Sequence, residues 1–382
     1  MTEIKKYNWK KILKRYNNLG IPSDVWTPTH IDFTSHIWNV IISIRATGKT
    51  TNLILLGLCM HAEYTKTVIQ YIRQVADMIT PKELHSLFNV IVENGYIEKL
   101  TNSQYNNVQY KAGIWRYVLV EDGEIKKESE PIMHCLSLDK ADVYKSTLNE
   151  PYGDFIIFDE FISKRYKPNE IEDLCSVLSS ITRDRTEVFY FLLANSLNYY
   201  NQYLTELGIA RDIKKMEFGD KRIIKSGLVD VYTEIIDPHT TIFKSERKKL
   251  ATLLKFGFRN EKLASITGST TWNFKHYRHL PPIHYKDERK NLAYFKLNDD
   301  LFVIEICDYI FIKPSSRNIE DVTLPIYSVD VLNKDYIFAF GKSQKSKKLW
   351  TKIINGDCYF ATNECGLATE QYIKNCQAER LG

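Results

Sequence analysis

Apolar positions along the first 240 residues fall into two kinds of run. Some recur every three or four residues, as on one side of a helix. Others are short and continuous, as in strands buried on both faces. Residues 4–19 are of the first kind: Ile4, Trp9, Ile12, Leu13 and Tyr16 share a side, lysines take the other, and Gly20 and Pro22 end the run. Residues 37–44 (IWNVIISI) predict a buried strand, followed by a turn and a helix from about Lys49 to Tyr64. A second strand is expected at 66–73 and mostly helix over 75–100. Two short strands follow near 107–112 and 115–120, joined through Gly113; then come a polar Glu-Asp-Gly-Glu turn and a strand at 131–138. Residues 154–158 (DFIIF) and 187–194 (EVFYFLLA) read as further buried strands around a helix at 168–182, and 222–236 still reads as β. This alternation predicts an α/β domain with a parallel sheet covered on both faces.

Beyond residue 240 the pattern changes. Residues 244–265 predict a basic helix, and 271–286, with Trp272, paired prolines and several His and Arg, a linker. From 291 the period is two: NLAYFKL, an Asn-Asp-Asp turn, then LFVIEICDYIFI predict a hairpin that opens a smaller α+β domain. The expected division is therefore 1–240, a helical linker at 241–286, and 287–382. The run KSQKSKK at 342–348 reads as a basic loop.

Charge adds a direction. The net value is +5, but residues 1–240 hold 29 Lys+Arg against 31 Asp+Glu (−2), and residues 241–382 hold 23 against 16 (+7). The excess in the C-terminal part suits a polyanion partner. With 44 % hydrophobic residues the chain can bury a sizeable core. No stretch reaches the roughly 18 consecutive apolar residues of a membrane span, and the N-terminus lacks the apolar core of a secretory signal. No membrane partner is expected, and the place of action is expected to be intracellular. The 7 cysteines include no CxxC pair and predict free thiols. Cys358 and Cys365 flank a short loop, but no His lies between them to make a zinc site.

Two motifs carry chemistry. The first is Ser43-Ile44-Arg45-Ala46-Thr47-Gly48-Lys49-Thr50-Thr51, between the first strand and its helix. Backbone N–H groups at a helix start cradle phosphates, Gly48 permits close approach, Lys49 neutralises β- and γ-phosphate oxygens, and the Thr50 hydroxyl ligates Mg²⁺. Ser43 stands where the full pattern has its first glycine; it can make the turn if its φ is negative. The plain alternative is an ordinary strand–turn–helix with a surface lysine. The second motif is the apolar strand ending in Asp159-Glu160. Asp159 is expected to hold the Mg²⁺ shell and Glu160 to orient and deprotonate the attacking water; the plain alternative is a strand running into a charged loop. The two motifs are 159 − 49 = 110 residues apart. That leaves room for an extra strand, as in additional-strand catalytic-glutamate P-loop ATPases rather than simple kinases.

Four further residues are candidates. Arg183 or Arg185, after the 168–182 helix, is in place to reach a neighbouring subunit's γ-phosphate, or to form a local salt bridge with Asp184. Asn195, closing the 187–194 strand, is in place to sense phosphate or hold water, or to cap a helix. Arg45 is either a loop residue in solvent or a bridge between phosphate and a neighbour.

Together these residues resemble the DNA-packaging ATPases of tailed phages: an arginine in the phosphate loop (Arg45 with Gly48-Lys49-Thr50), an apolar strand ending in Asp159-Glu160, and a strand ending in small residues (Ala194-Asn195-Ser196). The length and order are most similar to the encapsidation proteins of small short-tailed, picovirus-type phages, relatives of large terminase subunits. The resemblance implies a ring of identical subunits, a pentamer, on the portal of an empty procapsid in the host cytoplasm. Double-stranded DNA is the substrate and ATP with Mg²⁺ the fuel; a structural packaging RNA is a further partner where the phage has one. It implies a C-terminal domain similar to a ribonuclease H-like nuclease but inactive; the hairpin offers Glu305 and Asp308 and later segments Asp330 and Asp335, and of these only Glu305, on a strand, is placed for metal chemistry. Lys99, Lys111, Lys126 and Lys127 are candidates for gripping DNA phosphates. A non-packaging helicase or translocase, and a nucleotide-regulated nucleic-acid-binding protein, are the rival expectations. A small-molecule kinase fits Glu160 and the basic C-terminal part less well.

Overall fold

The computed structural model describes residues 7–43, 47–84, 86–147, 153–162, 170–183, 185, 187–195, 201–227, 229–237, 277–328, 347, 349, 351–353 and 355–378. They form two compact units. The first gathers the described residues up to 237 except 201–205; the second holds 201–205 and those from 277 on. Most of the expected linker, including the basic helix at 244–265, lies outside the described residues.

The first unit is built on a sheet whose central strands are continuous apolar runs. These are β1 (Trp38–Ile42), β2 (Ile69–Arg73), β6 (Phe155–Asp159), β7 (Phe189–Ala194) and β9 (Asp230–Ile235). β3 (Asn107–Lys111), β4 (Ile114–Glu121), β5 (Glu124–Ser137) and β8 (Lys221–Lys225) complete it. The order is β3-β4-β5-β2-β6-β7-β1-β9-β8. Strands β5 through β9 in that order run parallel, while β3, β4 and β8 are antiparallel at the edges, so the sheet is mixed rather than purely parallel. The Glu-Asp-Gly-Glu turn forms as expected. Asp122 (φ 53°) and Gly123 (φ 79°) take the left-handed conformations of a tight hairpin. The strand after it starts earlier than its apolar pattern indicates, because the charged half of β5 pairs with β4.

Helix α2 (Lys49–Glu63) is apolar nearly all round because it is sandwiched: Leu53, Leu56 and Met60 are buried between the sheet and α1 (Trp9–Asn17). At Gly57 a Cβ atom would lie 2.7 Å from the Ile69 side chain and 3.0 Å from Phe155, so glycine lets the helix press onto β2 and β6. On the opposite face Val40, Ile42, Ile156 and Phe158 are equally buried, and Ile181 of α3 (Glu170–Thr182) packs at Gly153 beside Gln70.

The second unit has a five-stranded sheet in the order β13-β10-β11-β12-β14. Its strands are β10 (Lys290–Leu297), β11 (Asp300–Ile306), β12 (Ile310–Pro314), β13 (Ile326–Ser328) and β14 (Cys358–Phe360). The expected hairpin is a three-stranded meander. LFVIEICDYIFI is two strands, β11 and β12, turning at Cys307–Tyr309, and its continuous hydrophobicity hid the turn because both strands bury their residues. A helix at Asn363–Ala378 covers one face through Cys365, Ala368, Tyr372 and Cys376. Cys358 and Cys365 are packing residues of this core.

Candidate active site

The first motif joins β1 to α2. Ser43 N–H donates to the Ala194 carbonyl at 3.1 Å, and Ser43 Oγ lies 2.9 Å from Thr47 Oγ1, which closes the base of the loop. Ser43 has no positive φ, so serine serves in the first-glycine position without strain. Gly48 is left-handed (φ 87°) and caps α2, a conformation a side chain would oppose. The loop is anchored from behind. Trp26 N–H donates to the Thr47 carbonyl (3.0 Å), Asn52 Nδ2 donates to the Trp26 and Gly48 carbonyls (2.8 and 3.1 Å), and Tyr16 holds Asn52 (2.7 Å). Thr51 continues the first turn of α2; Arg45 and Ala46 lie outside the described residues.

The second motif meets the first at the C-terminal ends of the strands, where parallel sheets gather ligands. The Thr50 hydroxyl is 3.3 Å from Asp159 Oδ2. Lys49, 4 % exposed, donates through Nζ to Asn195 Oδ1, and Asn195 Nδ2 donates to Glu160 Oε1 at 2.9 Å. β7, which Asn195 directly follows, lies between β1 and β6. The extra strand in space is therefore one that follows the acidic motif in sequence. Glu160 is itself left-handed (φ 57°), a conformation that costs a non-glycine residue of order 1 kcal/mol and that functional sites tolerate.

Sequence reasoning missed Arg73 and Tyr71. Arg73, the last residue of β2, lies next to β6. Its Nη2 donates to Glu160 Oε2 at 2.6 Å and its Nη1 faces Asp159 Oδ2 at 3.5 Å. Burial opposes its charge, but Tyr71 and the two carboxylates outweigh burial and hold the guanidinium more firmly protonated than usual. The Tyr71 hydroxyl donates to Asp159 Oδ2 at 2.8 Å; burial first, then the Asp159 charge, push that phenol well above its usual pKa. The one signal for either residue was a charged residue ending an apolar strand.

Arg183 and Arg185 follow α3 and precede β7, at the N-terminal ends of the strands and away from the first motif. Arg185 is drawn inward, with Nε 2.6 Å from Asp154 Oδ1 and Nη2 donating to the Ile181 carbonyl at 2.7 Å. Arg183 is exposed and left-handed (φ 48°) at the helix end. Of the candidate gripping lysines, Lys99 donates to the Leu19 carbonyl (2.8 Å), Lys126 pairs with Glu124 (2.5 Å), Lys127 lies 4.8 Å over the Tyr105 ring, and Lys111 ends edge strand β3, exposed. In the second unit the Glu305 carboxylate is held by Arg289 (3.2 Å) and Lys313 (2.7 Å). Asp308 sits in the β11–β12 turn, and Asp330 and Asp335 lie outside the described residues.

No family model matches the chain. A DNA packaging protein of Bacillus phage B103 is 25 % identical over 225 residues, 58 % of this chain, and the match spans 59 % of that relative's length. The bacteriophage Phi-29 viral genome packaging motor assembly superposes over 92 % of this chain and 100 % of its own, with a TM-score of 0.57 at 19 % identity. The chain is similar to phage DNA-packaging proteins. The Phi-28 gp11 DNA packaging motor adds a TM-score of 0.53 over 93 % of this chain and 99 % of its own, at 17 % identity. At such identities what is shared is the fold, and it takes in the second unit as well as the first. No helix among the described residues is long and apolar enough to cross a membrane.

Proposed function

We propose that this chain is the ATP-hydrolysing subunit of a motor that drives double-stranded DNA into a preformed phage procapsid. The observation that carries the proposal is the 3.3 Å approach of Thr50 to Asp159 beside the buried Lys49, in a fold like that of the Phi-29 motor. The residues suit ATP with Mg²⁺. Thr50 and Asp159 are hard oxygen donors, and the start of α2, with Thr47, Gly48 and Thr51, offers backbone N–H groups for phosphates, to which Arg45 and Ala46 would add. β7 between β1 and β6 supports the additional-strand catalytic-glutamate class of P-loop ATPase.

Bound MgATP supplies an electrophilic γ-phosphate whose charge spreads in the transition state. Lys49 leaves Asn195 to neutralise phosphate oxygens. Glu160 exchanges its bond to Arg73 or Asn195 for one to water and takes the water's proton. Asn195, touching both Lys49 and Glu160, registers whether phosphate is present. Arg183 is the trans residue: both arginines lie at the strand ends away from their own phosphate loop, and Arg183 is the more exposed of the two. A trans arginine requires a ring, a pentamer by resemblance, on the portal, with a packaging RNA where one exists. The capture of Glu305 by two cations supports a second unit without nuclease chemistry.

The test is ATP hydrolysis across a protein concentration series, with and without double-stranded DNA, alongside Glu160→Gln. Turnover should rise faster than linearly with protein, respond to DNA, and fall about 10²–10⁴-fold in the variant. Turnover strictly proportional to protein and untouched by the variant would sink the proposal. Unwinding that needs no procapsid would move it to a helicase.

A further inference from the structure

Tyr71 lies in the hydrophobic core beneath α2, 1 % exposed, yet its hydroxyl reaches the strand-end carboxylate. A buried tyrosine needs a partner for its hydroxyl, and a plain core residue would be satisfied by any acceptor. Three details go further. The acceptor is Asp159, the carboxylate that Thr50 also meets. Among the described residues every donor to Asp159 falls on Oδ2: Tyr71 at 2.8 Å, Thr50 at 3.3 Å and Arg73 at 3.5 Å. Oδ1 takes no donor from them. Finally, Tyr71 is interposed. Arg73 Nη1 donates to the Tyr71 hydroxyl at 3.2 Å, and that hydroxyl donates onward to Asp159.

The interposition has an electrostatic consequence. A direct charge-assisted bond between guanidinium and carboxylate closes to about 2.7–2.9 Å and would compete with a cation for the same charge. Here Arg73 makes that close bond to Glu160 at 2.6 Å and stands 3.5 Å from Asp159. The phenol, a neutral donor, fixes Asp159 without taking its charge, and the Arg73–Tyr71–Asp159 chain polarises along its length.

We propose that Tyr71 is a positioning residue for a divalent cation: by holding Asp159 Oδ2 it presents Oδ1 to the cation's water shell beside the Thr50 hydroxyl. The inference rests on the MgATP site proposed above. Groups that orient a ligating carboxylate are worth about 10–100-fold in metal affinity. Tyr71→Phe keeps the ring and removes the bond.

The experiment titrates Mg²⁺ against a fluorescent ATP analogue bound to the full chain, with a metal-free arm in chelator and a melting curve for each variant. Tyr71→Phe should raise the half-saturating Mg²⁺ concentration about tenfold or more, leaving metal-free binding of the analogue unchanged. An unchanged Mg²⁺ midpoint overturns the proposal; so does an equal loss with and without metal, which is what a purely structural tyrosine would give. If the unaltered chain binds the analogue with no Mg²⁺ dependence, the metal site itself is wrong and the role of Tyr71 falls with it, a failure visible before any variant is made. Should Tyr71→Phe fail to fold, the comparison moves to an Asp159→Asn background, whose neutral amide no longer needs donors for a charge. There Tyr71→Phe should leave the residual Mg²⁺ response where it is; a further shift would mean that Tyr71 acts elsewhere and would overturn the proposal.

Discussion

The two ends of strand β6 carry the same residue type and treat it in opposite ways. Just before the strand, Asp154 is 0 % exposed and closed off by Arg185 and the Tyr7 hydroxyl. At its far end Asp159 and Glu160 share one arginine with each other, and their remaining partners are a phenol, a hydroxyl and an amide. The Glu160 side chain is 31 % exposed. A carboxylate with a cation of its own is committed to the fold. One held by shared or neutral donors keeps charge for a ligand at modest cost in exchanged bonds. Glu305, with two cations, belongs with Asp154.

The largest effect should come from breaking the closed end. Arg185→Ala takes the Arg185 charge away from a buried carboxylate, and losing one partner of a buried pair costs about 3–5 kcal/mol. The Nε–Oδ1 approach is an ion pair rather than a well-aligned hydrogen bond, so the lower part of that range is expected in denaturant melts. Arg183→Ala, at an exposed position, should stay within about 0.5 kcal/mol while abolishing the faster-than-linear rise of ATP hydrolysis with protein. If Arg183→Ala unfolds the chain and Arg185→Ala does not, the assignment of the two arginines is reversed.

Arg73→Ala probes the open end. It leaves two adjacent carboxylates without their shared cation, but they lie at the C-terminal end of β6, where water reaches the partly exposed Glu160 and replaces some of that charge. A loss of about 2 kcal/mol is expected, below the usual cost for a fully buried pair, together with weaker hydrolysis. A loss as large as that of Arg185→Ala would show that both ends of β6 are structural.

The motif residues of the open end were legible because each lies in a recognisable local pattern: Gly48-Lys49-Thr50 between a strand and a helix, and Asp159-Glu160 after an apolar strand. Arg73 and Tyr71 were not, because their meaning depends on β2 lying beside β6, which is strand order and not local sequence. The central strands were legible because each buries both faces. The charged half of β5 was not, since a solvent-facing hairpin arm has no apolar signature. Lys126 and Lys127 lie on that arm among Glu124, Glu128 and Glu130, Lys126 paired with Glu124 and Lys127 over the Tyr105 ring.

Glu305→Gln tests whether the second unit's carboxylate is structural. The amide still hydrogen-bonds, but Arg289 and Lys313 lose their counter-charge. Lys313 is 42 % exposed, so solvent screens much of the change and about 1 kcal/mol is expected. ATP hydrolysis should not move, and metal-dependent cleavage of DNA should be absent before and after the change. Cleavage that disappears in the variant would return Glu305 to a nuclease role.

The smallest effect is a pH dependence seated, like Asp154, at the closed end of the sheet. His36 precedes β1, stacked on Tyr232 (ring centroids 5.3 Å apart), with its nitrogens against Ser35 Oγ and Asn39 Oδ1. Burial lowers its pKa, against the opposing pull of Asn39, Asp32 and Asp230. The unfolded chain then takes up this proton more readily than the folded one. Stability is therefore fully present above the ordinary histidine value of about 6.5 and falls as pH drops below it towards the depressed folded value. Melting temperature should decline between pH 7 and 5, by a few degrees at most. His36→Gln keeps hydrogen-bonding capacity without a titrating group and should flatten part of the decline. The rest belongs to His61, whose pKa burial also lowers while its Nδ1 lies 2.6 Å from the Thr67 carbonyl. A decline of the same size in His36→Gln would put the acid sensitivity outside His36, in His61 or in other groups, and the neutral histidine would then contribute nothing measurable to the closed end.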